Sequence, residues 1–162
     1  MPKNRSATSK RPPLYTADER VRRDSTKWTL VQGILAPLQF FAFAVSLVLV
    51  LRYLLLGTGY EVATASVIVK TLFLYVIMIT GAIWEKVVFG QYLLAPAFFW
   101  EDVFSFAVIA LHTAYIIALW TNFLSPTGLM ILALAAYTTY VVNAAQFIWK
   151  LRMARLDMAA QA

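Results

Sequence analysis

The chain has 162 residues, 61% of them hydrophobic, no cysteine, and 14 Lys and Arg against 8 Asp and Glu for a formal charge of +6. That apolar fraction lies well above the roughly 45–50% of soluble domains, and the mean hydropathy is +0.70, which excludes an ordinary soluble enzyme and predicts a one-domain membrane protein. Without cysteine there is no disulfide, thiolate nucleophile, iron–sulfur or zinc-thiolate site, and the single histidine, His112, excludes a multi-histidine metal centre.

Residues 1–14 are polar, basic and proline-bearing, and read as a disordered leader. Thr16-Ala-Asp-Glu19 has the spacing of a capping box, which predicts a short interfacial helix within 15–28 that runs to about Ser25, with Trp28 at the interface. Four apolar stretches follow at 30–51, 65–84, 103–120 and 129–149, each near the ~20 helical residues that cross a hydrocarbon core. The expected fold is therefore all-α: a four-transmembrane-helix bundle over 29–155, followed by a tail at 156–162. The first apolar run is too long for a signal-peptide core and no small-residue cleavage site follows it, so the start is expected in the cytosol.

Charge gives the topology. Eight of the 14 basic residues precede the first span, Lys86 lies between the second and third, and Lys150, Arg152 and Arg155 follow the fourth. The positive-inside rule then places both termini and the middle connection on the cytoplasmic side of the membrane. Orientation and anionic lipid account for this charge, and nucleic acid is not an expected partner.

In the first span Gln32, Leu35, Gln39, Phe43 and Ser46 recur at helical spacing, while Pro37 frees a carbonyl that a neighbour or water must satisfy. The loop at 57–61 is short, and Arg52 and Glu61 are placed to pair across it. Lys70, a few turns into the second span, is expected to snorkel to the outer headgroups in preference to pairing inside the bundle. The connection from Glu85 to Asp102 is too apolar for free solvation. Two readings of it stay open: a segment that lies in the interface or folds back as a lid over the bundle, or a second helix that continues past Tyr92 with only Ala95-Pro96-Ala97 as loop. In the third span Glu101, Ser105, Val108 and His112 share a face, with His112 near mid-membrane. In the fourth, Tyr140, Asn143, Gln146 and Lys150 form a second polar stripe.

The polar groups thus gather in the cytoplasmic half, and the outer half, apart from Lys70, is apolar and aromatic. A transporter or channel would need polar groups along its full depth, so a cavity open to the cytoplasmic leaflet is the better expectation, suited to a large flat amphiphile. A carboxyl group near such a low-dielectric boundary is able to hold a proton, which makes acid–base chemistry available. Plainer roles exist for most of these residues: amides bridging helices, Glu85 and Lys86 as an interfacial pair, Glu101 and Asp102 as acidic groups at a helix N-terminus. His112 is read as a ligand or proton carrier, because an isolated mid-membrane histidine is seldom filler.

At these residues the sequence resembles a known family. Trp-Thr-Leu-Val-Gln-Gly-Ile-Leu-Ala-Pro-Leu-Gln-Phe from Trp28, Gly-Ala-Ile-Trp-Glu-Lys-Val-Val-Phe-Gly-Gln-Tyr from Gly81, Ala-Pro-Ala-Phe-Phe-Trp-Glu-Asp-Val-Phe-Ser-Phe from Ala95 and Leu-His-Thr-Ala-Tyr from Leu111 are similar to the 3-vinyl bacteriochlorophyllide hydratases of phototrophic bacteria. The likeness runs from about Tyr15 to Arg155. It implies a hydro-lyase of bacteriochlorophyll a synthesis that adds water to the C3 vinyl group of chlorophyllide a or a related bacteriochlorophyllide, giving the 3-(1-hydroxyethyl) product. No cofactor is implied, the magnesium belonging to the substrate.

For that reaction an acid must protonate the terminal vinyl carbon, leaving a cation that the macrocycle delocalises and that water then attacks. Glu101 is the expected acid, with Asp102 and Glu85 next. His112 is expected as an axial ligand to the pigment magnesium, the slightly favoured reading, or as a proton shuttle. Gln39, Asn143 and Gln146 are expected to bind substrate, and Lys86 or Lys150 to receive its propionate. The partners expected are a chlorophyllide-type tetrapyrrole and the bilayer, with other bacteriochlorophyll-synthesis enzymes and further copies of the chain left open. Two alternatives remain: a tetrapyrrole-binding subunit or assembly factor of the photosynthetic apparatus that transforms nothing, and, more distantly, a small multidrug-type transporter.

Overall fold

The computed structural model describes residues 13–159, and every regular element among them is a helix. The leader expected at 1–14 lies almost wholly outside the described residues, as does the end of the expected tail.

Helix α1 spans Ala17–Ser25 and begins with the capping box: Thr16 accepts from the Glu19 N–H, and the Glu19 carboxylate accepts from the Thr16 N–H at 2.8 Å. Thr26 then serves two helices. Its own N–H ends α1 on the Arg22 carbonyl, and its side chain caps α2, Lys27–Leu56, by accepting from the Trp28 N–H. The turn into α3, Tyr60–Phe89, uses Gly57 and Gly59 at φ 69° and 83°, conformations that cost glycine nothing. Helix α4 is Phe99–Thr121 and α5 is Pro126–Ala159, with proline at the first helical position. At 30 residues α2 and α3 are each about 45 Å long, so they overrun the ~30 Å hydrocarbon core and carry their polar ends beyond it. Four helices are long and apolar enough to cross a membrane, which makes this a multi-pass membrane protein.

The spans pair as two hairpins, α2 against α3 and α4 against α5, with sparser contact between the pairs. Phe43, Val67, Leu74, Val108, Tyr115, Met130 and Tyr137 fill the space between them. Large apolar side chains such as Phe41, Leu72 and Trp120 point outward, as expected where the solvent is lipid. A second, aromatic cluster closes the end that carries both described termini: Tyr15, Trp84, Phe89, Phe98 and Phe147. Tyr15 stacks on Phe89 at 5.8 Å and Phe98 on Phe147 at 5.8 Å, while Arg22 Nε donates to the Val88 carbonyl at 2.9 Å, so α1 is fastened across that end.

Helix α3 stops at Phe89 on Gly90, φ 87°, and residues 90–98 fold back with Ala95 and Phe98 buried. Of the two readings of this connection, the folded-back segment is the one observed. Arg52 and Glu61 do not pair; among the described residues the ion pairs are Arg23–Asp24 and Lys150–Glu101. Lys70 departs further from expectation. It is fully buried, and its Nζ lies 2.7 Å from His112 Nε2 and 4.0 Å from the Tyr140 ring centroid. It sits on the inward face of α3 with Ala63, Val67 and Leu74, about 15 Å along the helix from Tyr60, too deep for its stem to snorkel out.

Candidate functional site

Three segments build the site at the end that carries the termini: the last turn of α3, the folded-back connection and the first turns of α4, with α5 alongside. Glu101 and Asp102 are both buried. As consecutive helical residues they point about 100° apart, so they meet different neighbours.

Asp102 faces the connection. Its Oδ2 accepts the Leu94 N–H at 2.7 Å, and Glu85 Oε2, from α3, accepts the Ala95 N–H at 3.3 Å. Those two bonds explain why Leu94 is held at φ 60°, an uncommon conformation for a non-glycine residue. Glu85 and Asp102 thus hold the N–H groups of two successive residues of the connection. Neither residue caps α4 with its side chain from the N-cap position, which Phe98 occupies.

Glu101 faces α5. Lys150 Nζ lies 2.5 Å from Glu101 Oε2 and also donates to the Ala97 carbonyl. Asn143 Nδ2 donates to the Glu101 carbonyl at 2.8 Å, and Ser105 Oγ lies 2.9 Å from that carbonyl and 3.2 Å from Asn143 Oδ1. Asn143 thus fixes the backbone that carries Glu101. Beside this network, between α4 and α5, a groove of about 510 Å³ opens on the flank of the bundle, lined by Glu101, Val142, Ala145, Gln146 and Trp149. Glu101 is its one carboxyl among the described residues, and Trp149, 66% exposed, forms its lip.

Other residues expected at the site lie elsewhere. Lys86 is exposed, with Nζ on the Gly90 carbonyl at 2.7 Å. Gln39 is buried on α2 and does not line the groove. Gln32 bridges α2 and α3 through the Thr80 hydroxyl at 2.7 Å, the plain role of an amide between helices.

His112 shares a face with Glu101 but lies eleven residues on, about 16 Å along α4. Its Nδ1 is 2.7 Å from the Val108 carbonyl, an acceptor only, so Nδ1 carries the hydrogen and Nε2 accepts from Lys70. Magnesium ligation and proton shuttling both require a ring nitrogen open to the pigment, and in this conformation His112, fully buried, has neither free. Sequence reading missed this Lys70–His112 pair, although Lys70 lies ten residues into α3 and His112 nine from the end of α4, which puts them at one depth. Nearby, Ser46 Oγ meets the Tyr137 hydroxyl at 2.5 Å and Ser66 Oγ at 2.7 Å. These groups bond to one another and do not line a path.

By fold this is a multi-pass helical membrane protein, with Glu101 in the wall of a lateral groove otherwise lined by α5. Comparison with known proteins narrows this. The family model described as 2-vinyl bacteriochlorophyllide hydratase (BCHF) matches residues 15–153. A 2-vinyl bacteriochlorophyllide hydratase of Cereibacter sphaeroides is 72% identical over 148 residues, 91% of each chain. One from Rhodobacter capsulatus is 70% identical over 149 residues, 91% of this chain and 86% of the relative. The chain belongs to the 2-vinyl bacteriochlorophyllide hydratase family. No solved structure matches it.

Proposed function

We propose that this protein adds water across the vinyl group of a chlorophyllide-type tetrapyrrole in bacteriochlorophyll synthesis, giving the 1-hydroxyethyl side chain. The vinyl position is 2 or 3 according to the numbering used for the macrocycle. The observation that carries the site assignment is Glu101, the carboxyl group set in the apolar groove between α4 and α5. A flat pigment dissolved in the bilayer has lateral access to that groove, and its vinyl edge then meets Glu101.

The chemistry follows from the contacts. Lys150 and Glu101 hold one proton across their hydrogen bond. Transferred through the Glu101 carboxyl to the terminal vinyl CH2, it leaves a cation at the carbon next to the macrocycle, where conjugation spreads the charge. Water adds at that carbon and its surplus proton returns to the Glu101–Lys150 pair, so the protein ends as it began. The sum is redox-neutral and calls for no electron carrier; the magnesium arrives with the substrate. Glu85 and Asp102, bonded to the Ala95 and Leu94 N–H groups, tie the connection to the end of α3 and the start of α4 and so aim Glu101. Lys150 is engaged with both Glu101 and Ala97, whereas exposed Lys86 makes one bond, to the Gly90 carbonyl, and has ammonium hydrogens left for the pigment's propionate. The basic residues before α2 and after α5 favour the cytoplasmic face of the bacterial inner membrane for this end.

The test is turnover of chlorophyllide a by membranes that contain this protein alone. Loss of the conjugated vinyl group shifts the red absorption band to the blue, and the product gains the mass of one water. Glu101→Gln should lower turnover by about 10²–10⁴-fold, the usual contribution of a positioned general acid. Pigment that binds unchanged to folded wild-type protein would instead indicate a carrier, and full activity in Glu101→Gln would remove the acid from this groove.

A further inference from the structure

Glu101 has one polar companion in the groove wall. Val142, Ala145 and Trp149 offer the groove an apolar lining, and Gln146 is the amide-bearing residue of its wall. Among the described residues Gln146 makes no hydrogen bond, and its Oε1 is buried without a partner. Asn143, one turn earlier on α5, shows the contrast: both ends of its amide are used, on Glu101 and Ser105. Two amides on one helix face therefore differ in kind, one consumed in holding α4 and the other unspent in a residue of the groove wall that Glu101 shares.

A buried amide oxygen with no donor is rare in folded proteins and is usually answered by a water or a ligand group. The oxygen and nitrogen of a glutamine amide exchange by a half-turn, so Gln146 is able to present either a donor or an acceptor to the groove. Hydration needs a nucleophile held at the carbon next to the macrocycle, and the chemistry above assigns no residue to hold it.

We infer that Gln146 binds the water that adds to the vinyl group, holding it between its own amide and Glu101. This rests on the hydratase reading and extends it to the second reactant. In the step, one water hydrogen is held by the Gln146 amide oxygen, the other points to the Glu101 carboxylate left after proton donation, and an oxygen lone pair faces the cation. The C–O bond forms as the O–H bond to Glu101 breaks, and that proton goes to the Glu101–Lys150 pair. Gln146, a neutral amide, changes neither charge nor bonding.

The experiment separates protonation from water addition. Wild-type protein, Gln146→Leu and Glu101→Gln, each as full-length protein in membranes, are incubated with chlorophyllide a in D2O. Hydration is followed by absorbance, pigment binding by titration, and deuterium entering the terminal vinyl carbon of recovered substrate by mass spectrometry. In Gln146→Leu hydration should fall at least about tenfold with pigment affinity retained. Because Glu101 still protonates the vinyl carbon, deuterium exchange per hydration event should rise by a similar factor. Gln146→Asn, which keeps an amide one methylene shorter, should recover part of the hydration.

Hydration at the wild-type rate in Gln146→Leu overturns the inference. So does a loss of exchange and hydration in equal proportion, the mark of damage to packing or to pigment seating. Glu101→Gln should lose both signals. If it keeps exchange while Gln146→Leu behaves as stated, the acid assignment fails and the water site stands.

Discussion

Glu101 is set by its neighbours more than by its own type. The Lys150 ammonium on one carboxyl oxygen, the Asn143 amide on its carbonyl and the groove beside it combine a proton source, a rigid backbone and an apolar approach. Lys150→Met should lower turnover at least about tenfold, because it removes the partner with which Glu101 shares its proton, while pigment binding should persist. Lys150→Arg keeps the charge, but a guanidinium does not give up its proton, so it should recover folding more than turnover. Parallel measurement of thermal unfolding and turnover in detergent checks both. Asp102→Asn and Glu85→Gln lie behind Glu101 and bond the connection, so their expected signature is a lower unfolding temperature with a smaller loss of turnover than Glu101→Gln. A larger loss of turnover in Asp102→Asn than in Glu101→Gln would move the acid to that pair.

At the scale of elements, α1 and the 90–98 connection together form the closure of the site. Tyr15 is buried against Phe89 and Phe98, with the Arg23 guanidinium 4.7 Å from its ring. Burial raises the pKa of its phenol above the ordinary value, although Arg23 pulls the other way. A raised phenol favours the folded state while neutral, so this contribution is present below the ordinary value of about 10 and is lost as pH rises through the folded one. Alkaline pH should release α1 first, and Tyr15→Phe should lessen that sensitivity; protease susceptibility between Ser25 and Trp28 across pH reads it out. Tyr15→Ala should cost about 3 kcal/mol of stability, in the range for deleting a buried aromatic side chain. The family match begins at this same residue.

Across the whole molecule, two tightly paired hairpins are joined by a few polar contacts in an apolar interior: Lys70 with His112, Ser46 with Tyr137, and Tyr75 with Thr113 at 2.7 Å. Deep in the bundle, removing one partner of such a contact strands the other. His112→Leu should therefore destabilise more than the double change Lys70→Met with His112→Leu, and a double-mutant cycle on thermal unfolding measures the coupling. Equal destabilisation would mean that Lys70 finds another partner, the Tyr140 ring being the nearest.

The sequence by itself determined the class of the protein. Four long apolar runs in 162 residues leave a helical membrane bundle as the ready solution, because lipid satisfies no backbone group, and the capping box of α1 is legible because its bonds are local in sequence. The blocks from Trp28, Gly81, Ala95 and Leu111 carried the family, and Glu101, Asp102, Glu85, Asn143 and Lys150 do meet at one end. What only the tertiary structure decided is which of these groups touch. Shared helical spacing put His112 with Glu101, yet partners are chosen by depth and by the rotation of each helix about its axis, and these turned His112 to Lys70 and Glu101 to Lys150. A helical pattern specifies a stripe, whereas a site needs a point on that stripe to face a point on another, and that registry arises only when the hairpins pack.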